Sequence, residues 1–118
     1  MVRQLLQKKA KIDEADKTGL TPLMAAAQEG FTGIVQLLLD NNANVNTKTQ
    51  TGATALMKAS FRRGNADVVE LLLDREADVN AKAQEGGTAW ILANVSGDKK
   101  ILDLLTKAGG GGKKTEKP

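Results

Sequence analysis

Two kinds of apolar block alternate along this chain. In the first, Leu23, Met24, Ala25, Ala26 and Ala27 follow Thr21-Pro22 and stop at Gly30. Pro at a first-turn position has its φ preset and lacks only an N–H that would have no helical partner, so Thr21-Pro22 reads as a helix start and Gly30 as its end. In the second block, from Gly33 to Asn41, the residues Ile34, Val35, Leu37, Leu38 and Leu39 carry too many apolar positions for a helix with one buried stripe. Such a helix needs neighbours on more than one side. Between the blocks, polar and Gly-containing stretches predict tight connections.

The pair of blocks recurs. Residues 16–48 and 49–82 align with sixteen identities and one single-residue gap near Arg62-Arg63. The identities include Gly19/Gly52, Thr21/Thr54, Leu23/Leu56, Met24/Met57, Gly30/Gly64, both Leu triplets and Asn46/Asn80. A third copy starts at Gln84-Glu85-Gly86-Gly87-Thr88-Ala89-Trp90 and runs through Gly97 to Leu105. A partial copy opens the chain, where Val2, Leu5, Leu6, Ala10 and Ile12 align with Val35, Leu38, Leu39, Ala43 and Val45. Self-similarity at a period near 33 predicts a stacked helical repeat.

Thr21-Pro22-Leu23, the Leu37-Leu38-Leu39 triplet and Ala43-Asn44-Val45-Asn46, each echoed in the later copies, resemble the ankyrin repeat, whose motif has the form D-x-x-G-x-T-P-L-H-x-A-A-x-x-G followed by a Leu-rich helix and G-A-D-V-N-A. The resemblance covers about residues 2–110. It implies an all-α solenoid of about three and a half helix-turn-helix units joined by short hairpin loops. The implied boundaries are a partial repeat over 1–15 keeping only its second helix, repeats over 16–48 and 49–82, a C-terminal repeat over 83–108, and a flexible Gly/Lys tail over 109–118. Met24, Met57 and Ile91 replace the family His, so apolar packing is expected where a polar network is usual. Where the family prefers a left-handed Gly, this chain has Lys9, Asn42 and Glu76, and the Lys and Glu should each cost about 1 kcal/mol. Lys99, Lys100, Asp103, Thr106 and Lys107 give the last helix the polarity of a terminal cap.

Composition removes most chemistry. The 118 residues include no Cys, His or Tyr, one Trp and two Phe. No usual zinc or haem site, thiol nucleophile or His-assisted triad can be assembled from this set. Neither catalytic residues, nor a cofactor site, nor a metal site is expected. The formal charge of +3 falls mainly at the end of the chain: residues 1–112 carry 14 basic and 13 acidic side chains, and the last six supply the rest. Specific nucleic-acid binding is therefore not expected. Neither is a membrane span, since no apolar run reaches about 18 residues. An intracellular, soluble, cytoplasmic protein is the expectation.

Three motifs suggest chemistry they do not support. Gly109-Gly110-Gly111-Gly112-Lys113-Lys114-Thr115 has Lys113 where a phosphate loop needs Gly, and it follows a helix, not a strand. Asn94-Val95-Ser96 is a formal glycosylation acceptor with no export signal beside it. Asp13, Glu14 and Asp16 lack the alternation of a calcium loop, because Ala15 occupies a ligand place. Trp90 aligns with Leu23 and Leu56 and is expected in the core.

What remains is a surface. The resemblance implies a non-catalytic protein-protein interaction module whose variable positions lie on the hairpin tips and the concave groove. Carried over, these are Lys17, Thr18, Leu20, Gln28 and Glu29; Gln50, Thr51, Ala53, Lys58, Phe61, Arg62 and Arg63; and Gln84, Glu85, Gly87, Val95 and Ser96, with Lys48 and Lys82 on the connections. Lys58 and Arg62, four apart, are expected on one short helix, with Phe61, Arg62 and Arg63 forming a basic corner at the insertion. Phe and Arg are residue types that anchor interfaces. An acidic or amphipathic protein partner suits that corner. The alternatives are a regulatory segment of a larger protein or enzyme and weak basic-patch binding to nucleic acid.

Overall fold

A computed structural model of the chain describes residues 12–109. Among these residues six helices follow one another: α1 (Pro22–Glu29), α2 (Thr32–Asp40), α3 (Ala55–Ser60), α4 (Ala66–Asp74), α5 (Ala89–Ser96) and α6 (Lys99–Lys107). They form three antiparallel hairpins, α1α2, α3α4 and α5α6. The first helices pack in one layer, α1 on α3 and α3 on α5, and the second helices in another, α2 on α4 and α4 on α6. The fold is thus the all-helical solenoid that the repeat pattern implies, elongated to 46 × 25 × 24 Å.

Each first helix starts the same way. The hydroxyls of Thr21, Thr54 and Thr88 accept from the backbone N–H three residues on, at 3.3, 3.2 and 3.3 Å. Such caps satisfy a donor that the helix leaves orphaned. Gly30 and Gly97 end α1 and α5 in the left-handed region, as Gly30 was expected to do. The core lies between the layers and the units: Leu23, Met24, Leu56 and Met57 from the first helices, Val35, Leu38, Val68, Val69, Leu72, Ile101 and Leu105 from the second. Ala26, Ala27, Ala59 and Ala93 are buried where the helices meet, and their small side chains allow close approach. Met24 and Met57 are buried, the apolar replacement anticipated at the family His position.

After each second helix the chain reverses through a left-handed residue. Asn42 has φ 70° and Glu76 has φ 68°, while Gly109 follows at 101°. Ala43 N–H and Ala77 N–H then return to Leu38 and Leu72 carbonyls, both at 3.0 Å. Lys9 lies outside the described residues, as do Val2, Leu5 and Leu6 of the partial first repeat and the tail beyond Gly109.

The last unit departs from the expected pattern. The outer residues of α6 are polar and exposed, as a cap requires. Its companion α5 instead exposes apolar side chains. Ile91, equivalent to the buried Met24 and Met57, is 45% exposed, and Val95 is 69% exposed. No following unit covers that side of α5 among the described residues. Trp90 is only partly buried, unlike Leu23 and Leu56, and its indole N–H donates to Thr106 Oγ1 at 3.2 Å.

One core position is mismatched. Ser60 stands where the first repeat has Ala27, is fully buried, and its hydroxyl has no hydrogen-bond partner among the described residues. Leaving a buried hydroxyl unpaired costs about 1–3 kcal/mol, so Ser60→Ala should raise stability by about 1 kcal/mol. Urea unfolding followed by circular dichroism measures this as a higher midpoint with unchanged slope.

Candidate protein-binding groove

The tips that flank the groove are turns built by polar side chains. Asp16, Thr49 and Ala83 occupy equivalent places, and in each turn the Gly three residues on donates to that residue's carbonyl. Asp16 Oδ1 also accepts from Thr18 N, Thr18 Oγ1 and Leu20 N at 2.8, 2.7 and 3.0 Å. The Thr18 hydroxyl, followed by the Leu20 and Thr18 amides, holds the Asp16 carboxyl below the usual carboxylate range. Thr49 Oγ1 makes the weaker version, accepting from Thr51 and Ala53 N–H at 3.3 and 3.1 Å.

Successive tips are joined by their own amides. Gln50 N–H donates to Thr18 O at 2.9 Å and Gln84 N–H to Thr51 O at 2.8 Å. Their side-chain amides continue the ladder, Gln50 Nε2 to Lys17 O at 2.6 Å and Gln84 Nε2 to Gln50 O at 2.9 Å. These amide donors, predicted as recognition positions, are therefore engaged in joining neighbouring tips. A second ladder runs along the connections. Asp13 Oδ1 accepts from Asn44 N at 2.7 Å and, one unit on, Asn46 Oδ1 accepts from Asp78 N at 2.7 Å. Asp13 and Asp16 thus hold backbone, and no group of three or more His, Cys, Asp or Glu placed to hold a metal occurs among the described residues.

Between the layer of first helices and these tips lies a concave depression of about 510 Å³, lined by Gln28, Glu29, Ala53, Met57, Lys58, Phe61, Arg62 and Leu92. It brings together residues of all three units. Gln28, Glu29, Ala53, Lys58, Phe61 and Arg62 were predicted from the variable positions; Met57, at the place of the family His, and Leu92, at the variable place that Lys58 holds one unit earlier, were not. Phe61 is 56% exposed and is not tucked under the inserted turn. Among the described residues, neither Lys58 nor Arg62 has an ion-pair partner, although Glu29 lines the same depression. Lys17, Lys48, Lys82, Gln84 and Glu85 are exposed on the tips and connections, and Leu20 is partly buried.

The basic corner expected at Phe61-Arg63 is corrected in two respects. Helix α3 ends at Ser60, two residues earlier than its counterparts α1 and α5 in length, so Arg62 lies beyond it and does not share a helix with Lys58. The two arginines also diverge. Arg62 turns back toward the first unit, its Nε 3.4 Å from where a Cβ on Gly30 would be. Arg63 points forward to the third unit, its Nη1 3.6 Å from the same place on Gly97, and lines a separate depression with Gly64, Asp98 and Lys99. Asp98 Oδ2 accepts from Gly64 N at 2.7 Å, while its Oδ1 caps α6 by accepting from Lys100 and Ile101 N–H. The Gly64 bond, then those of α6 and the charge of Arg63, hold the Asp98 carboxyl low. Arg63 is thus exposed beside a different depression from the one that Arg62 lines.

Asn65, which follows the insertion, has no counterpart in the sequence reading. It is buried, and its side-chain N–H₂ donates to Ala27 O of the first unit at 2.8 Å and to Ala59 O of its own at 3.1 Å. The first repeat has Phe31 at this place, 53% exposed. Ala27 O and Ala59 O each accept a backbone N–H as well, from Gly30 and Arg62, so Asn65 is a second donor shared between the ends of α1 and α3.

Stacked two-helix units, turn tips laddered by backbone amides and a concave face of variable side chains define a tandem-repeat solenoid. A family model described as ankyrin repeats (3 copies) matches residues 1–83 and 49–116, and the chain belongs to the ankyrin-repeat family. It is similar to human ankyrin repeat and KH domain-containing protein 1, 48% identical over 46 residues, which is 39% of this chain and 2% of that protein. It is similar to the mouse B-cell lymphoma 3 protein homolog, 44% identical over 59 residues, 49% of this chain and 13% of that protein. Alpha-latrotoxin-Lt1a of Latrodectus tredecimguttatus is 41% identical over 44 residues, 37% of this chain and 3% of the toxin. The chain thus spans only a small part of these relatives. Ankyrin repeats generally serve protein interaction and are typically not catalytic. No helix among the described residues is long and apolar enough to cross a membrane.

Proposed function

We propose that this chain binds a protein partner through the groove between its first helices and tips, with Lys58, Phe61 and Arg62 at the centre of the contact and an acidic or amphipathic stretch of the partner against them. The observation that carries this is the depression itself. An exposed aromatic ring and two cations with no ion-pair partner among the described residues line a concavity to which all three described units contribute. Gln28 and Glu29 form its edge toward the first unit. Lys17, Lys48, Lys82 and Glu85 form a charged rim, and the backbone ladder through Thr18, Gln50, Thr51 and Gln84 fixes the spacing of the tips. The great length of the relatives favours a second setting for the same groove, as a regulatory segment that binds elsewhere in a larger protein.

The divergence of the arginines supplies the test. Arg62→Glu should weaken a partner recovered by affinity capture tenfold or more, because a carboxylate contact becomes a repulsion. Arg63→Glu should change the affinity less than twofold. Isothermal titration of the purified pair measures both, and equal losses from the two substitutions, or none from either, would contradict the proposal.

A further inference from the structure

Equivalent positions along the groove change character from unit to unit. At the place held by Ala25 in the first unit, the second has Lys58 and the third Leu92; the place of Gln28 is taken by Phe61 and then Val95; that of Glu29 by Arg62 and then Ser96. The groove therefore passes from a polar, acidic unit through a cationic and aromatic one to an aliphatic one. Met57, Phe61 and Leu92 supply its apolar lining at the junction of the last two units. Val95 is 69% exposed on the same helix as Leu92.

From this gradient we propose that the groove reads its partner in register with the repeats. A carboxylate of the partner sits on Lys58 and Arg62, and a large aliphatic or aromatic side chain a few residues away enters the apolar lining formed by Phe61, Met57 and Leu92. The inference rests on the groove reading above and adds the pattern that the occupant must carry.

Two features of the groove select this occupant. Lys58 and Arg62 face one depression with no ion-pair partner among the described residues, and a guanidinium accepts a carboxylate in a two-pronged contact. The apolar lining joins the second unit, which also carries both cations, to Leu92 of the third, and the first unit contributes only Gln28 and Glu29. A uniformly charged polyanion fits poorly, since it would place one negative group against Glu29 and others over uncharged Leu92 and Val95. The same pattern disfavours a purely apolar segment, which would bury both cations unpaired.

Selection of a random peptide library displayed on phage against the full chain tests this. The expected result is enrichment of sequences in which Asp or Glu lies within a few residues of Leu, Ile or Phe. Binding of a synthetic peptide of that type should fall at least tenfold with Arg62→Glu in the protein, and at least tenfold with the apolar residue of the peptide changed to Ser. Both protein variants used, Arg62→Glu and Phe61→Ser, alter exposed side chains, and circular dichroism melts confirm their folding. Peptides that lose binding with either variant but lack the acid, or tolerate the change to Ser, would overturn the pattern and leave the groove reading intact. Peptides indifferent to both variants would overturn both. Failure to enrich any sequence would overturn the pattern, as would tighter binding of a single-stranded oligonucleotide than of every selected peptide.

Discussion

Replacing Asn65 by Ala is expected to destabilise the fold by about 3 kcal/mol and lower the melting temperature by roughly 10 °C. The amide is buried and donates to carbonyls in two different units, Ala27 O and Ala59 O. Removing it takes the second donor from each carbonyl, leaving Ala27 O with Gly30 N–H and Ala59 O with Arg62 N–H, both at 3.2 Å, and each hydrogen bond lost costs about 1 kcal/mol. The cavity left by the side chain adds to the loss. Asn65→Asp should be at least as damaging, since it keeps the shape, loses the donors and brings a charge beside two carbonyls. Thermal and urea unfolding of the two variants measure the effect. A loss below about 1 kcal/mol would mean that Asn65 does not tie the first unit to the second.

The second large effect is expected at the tips. Gly19 and Gly52 have φ of 90° and 86°, and a Cβ on either would approach the backbone of the next tip, to 2.9 Å from Thr49 Cα and to 3.1 Å from Ala83 Cα. Ala there carries two penalties. The left-handed region costs a residue with a Cβ about 1–2 kcal/mol, and the clash pushes apart the amides that ladder the tips. Gly86 separates the two, because it has φ 88° with nothing within 4 Å of a Cβ. Gly86→Ala should therefore lose about 1 kcal/mol, and Gly19→Ala and Gly52→Ala roughly 2–3 kcal/mol each. Hydrogen exchange adds a local signature: Gln50 N–H and Gln84 N–H should exchange faster in Gly19→Ala and Gly52→Ala respectively. Equal losses at all three glycines would contradict the close approach between tips.

Much of this architecture was legible because repetition amplifies weak local signals. Thr-Pro at one helix start is a modest indication, but Thr21, Thr54 and Thr88 at one register, with Leu triplets fifteen or so residues on, leave little freedom. The left-handed turns at Asn42 and Glu76 were legible for the same reason, although neither residue is Gly. What the register could not supply is what differs between units. Ile91 aligns with Met24 and Met57, yet their burial comes from the following unit, and a periodic pattern assigns them the same environment. Trp90 is partly uncovered for the same reason.

The insertion was the other obscure place. From spacing, Lys58 and Arg62 belong on one helical face, but the extra residue ends α3 early and sends Arg62 and Arg63 to opposite neighbours. Asn65 aligns with exposed Phe31 and so gave no sign of burial. A buried polar role there depends on the approach of two helix ends, which puts Ala27 O and Ala59 O within reach of one side chain. In the groove, Lys58, Phe61 and Arg62 were legible from their variable places and residue types, whereas Met57 stands at a framework place expected in the core and Leu92, at the variable place of Lys58, carries no charge or ring to mark it. The part that the Gln50 and Gln84 amides play in the tip ladder was not legible, because it depends on which carbonyls of the neighbouring tip lie within their reach.

The central claim, that the partner occupies the groove between the first helices and tips, is tested most directly by titrating isotope-labelled chain with its captured partner, or with a selected peptide, and following backbone amide shifts by NMR. The account predicts that the largest shifts cluster at Gln28, Glu29, Ala53, Lys58, Phe61, Arg62 and Leu92, which line one depression. Shifts concentrated instead at Gln36, Asp67, Glu70 and Asp74, which line the depression between α2 and α4, would contradict it.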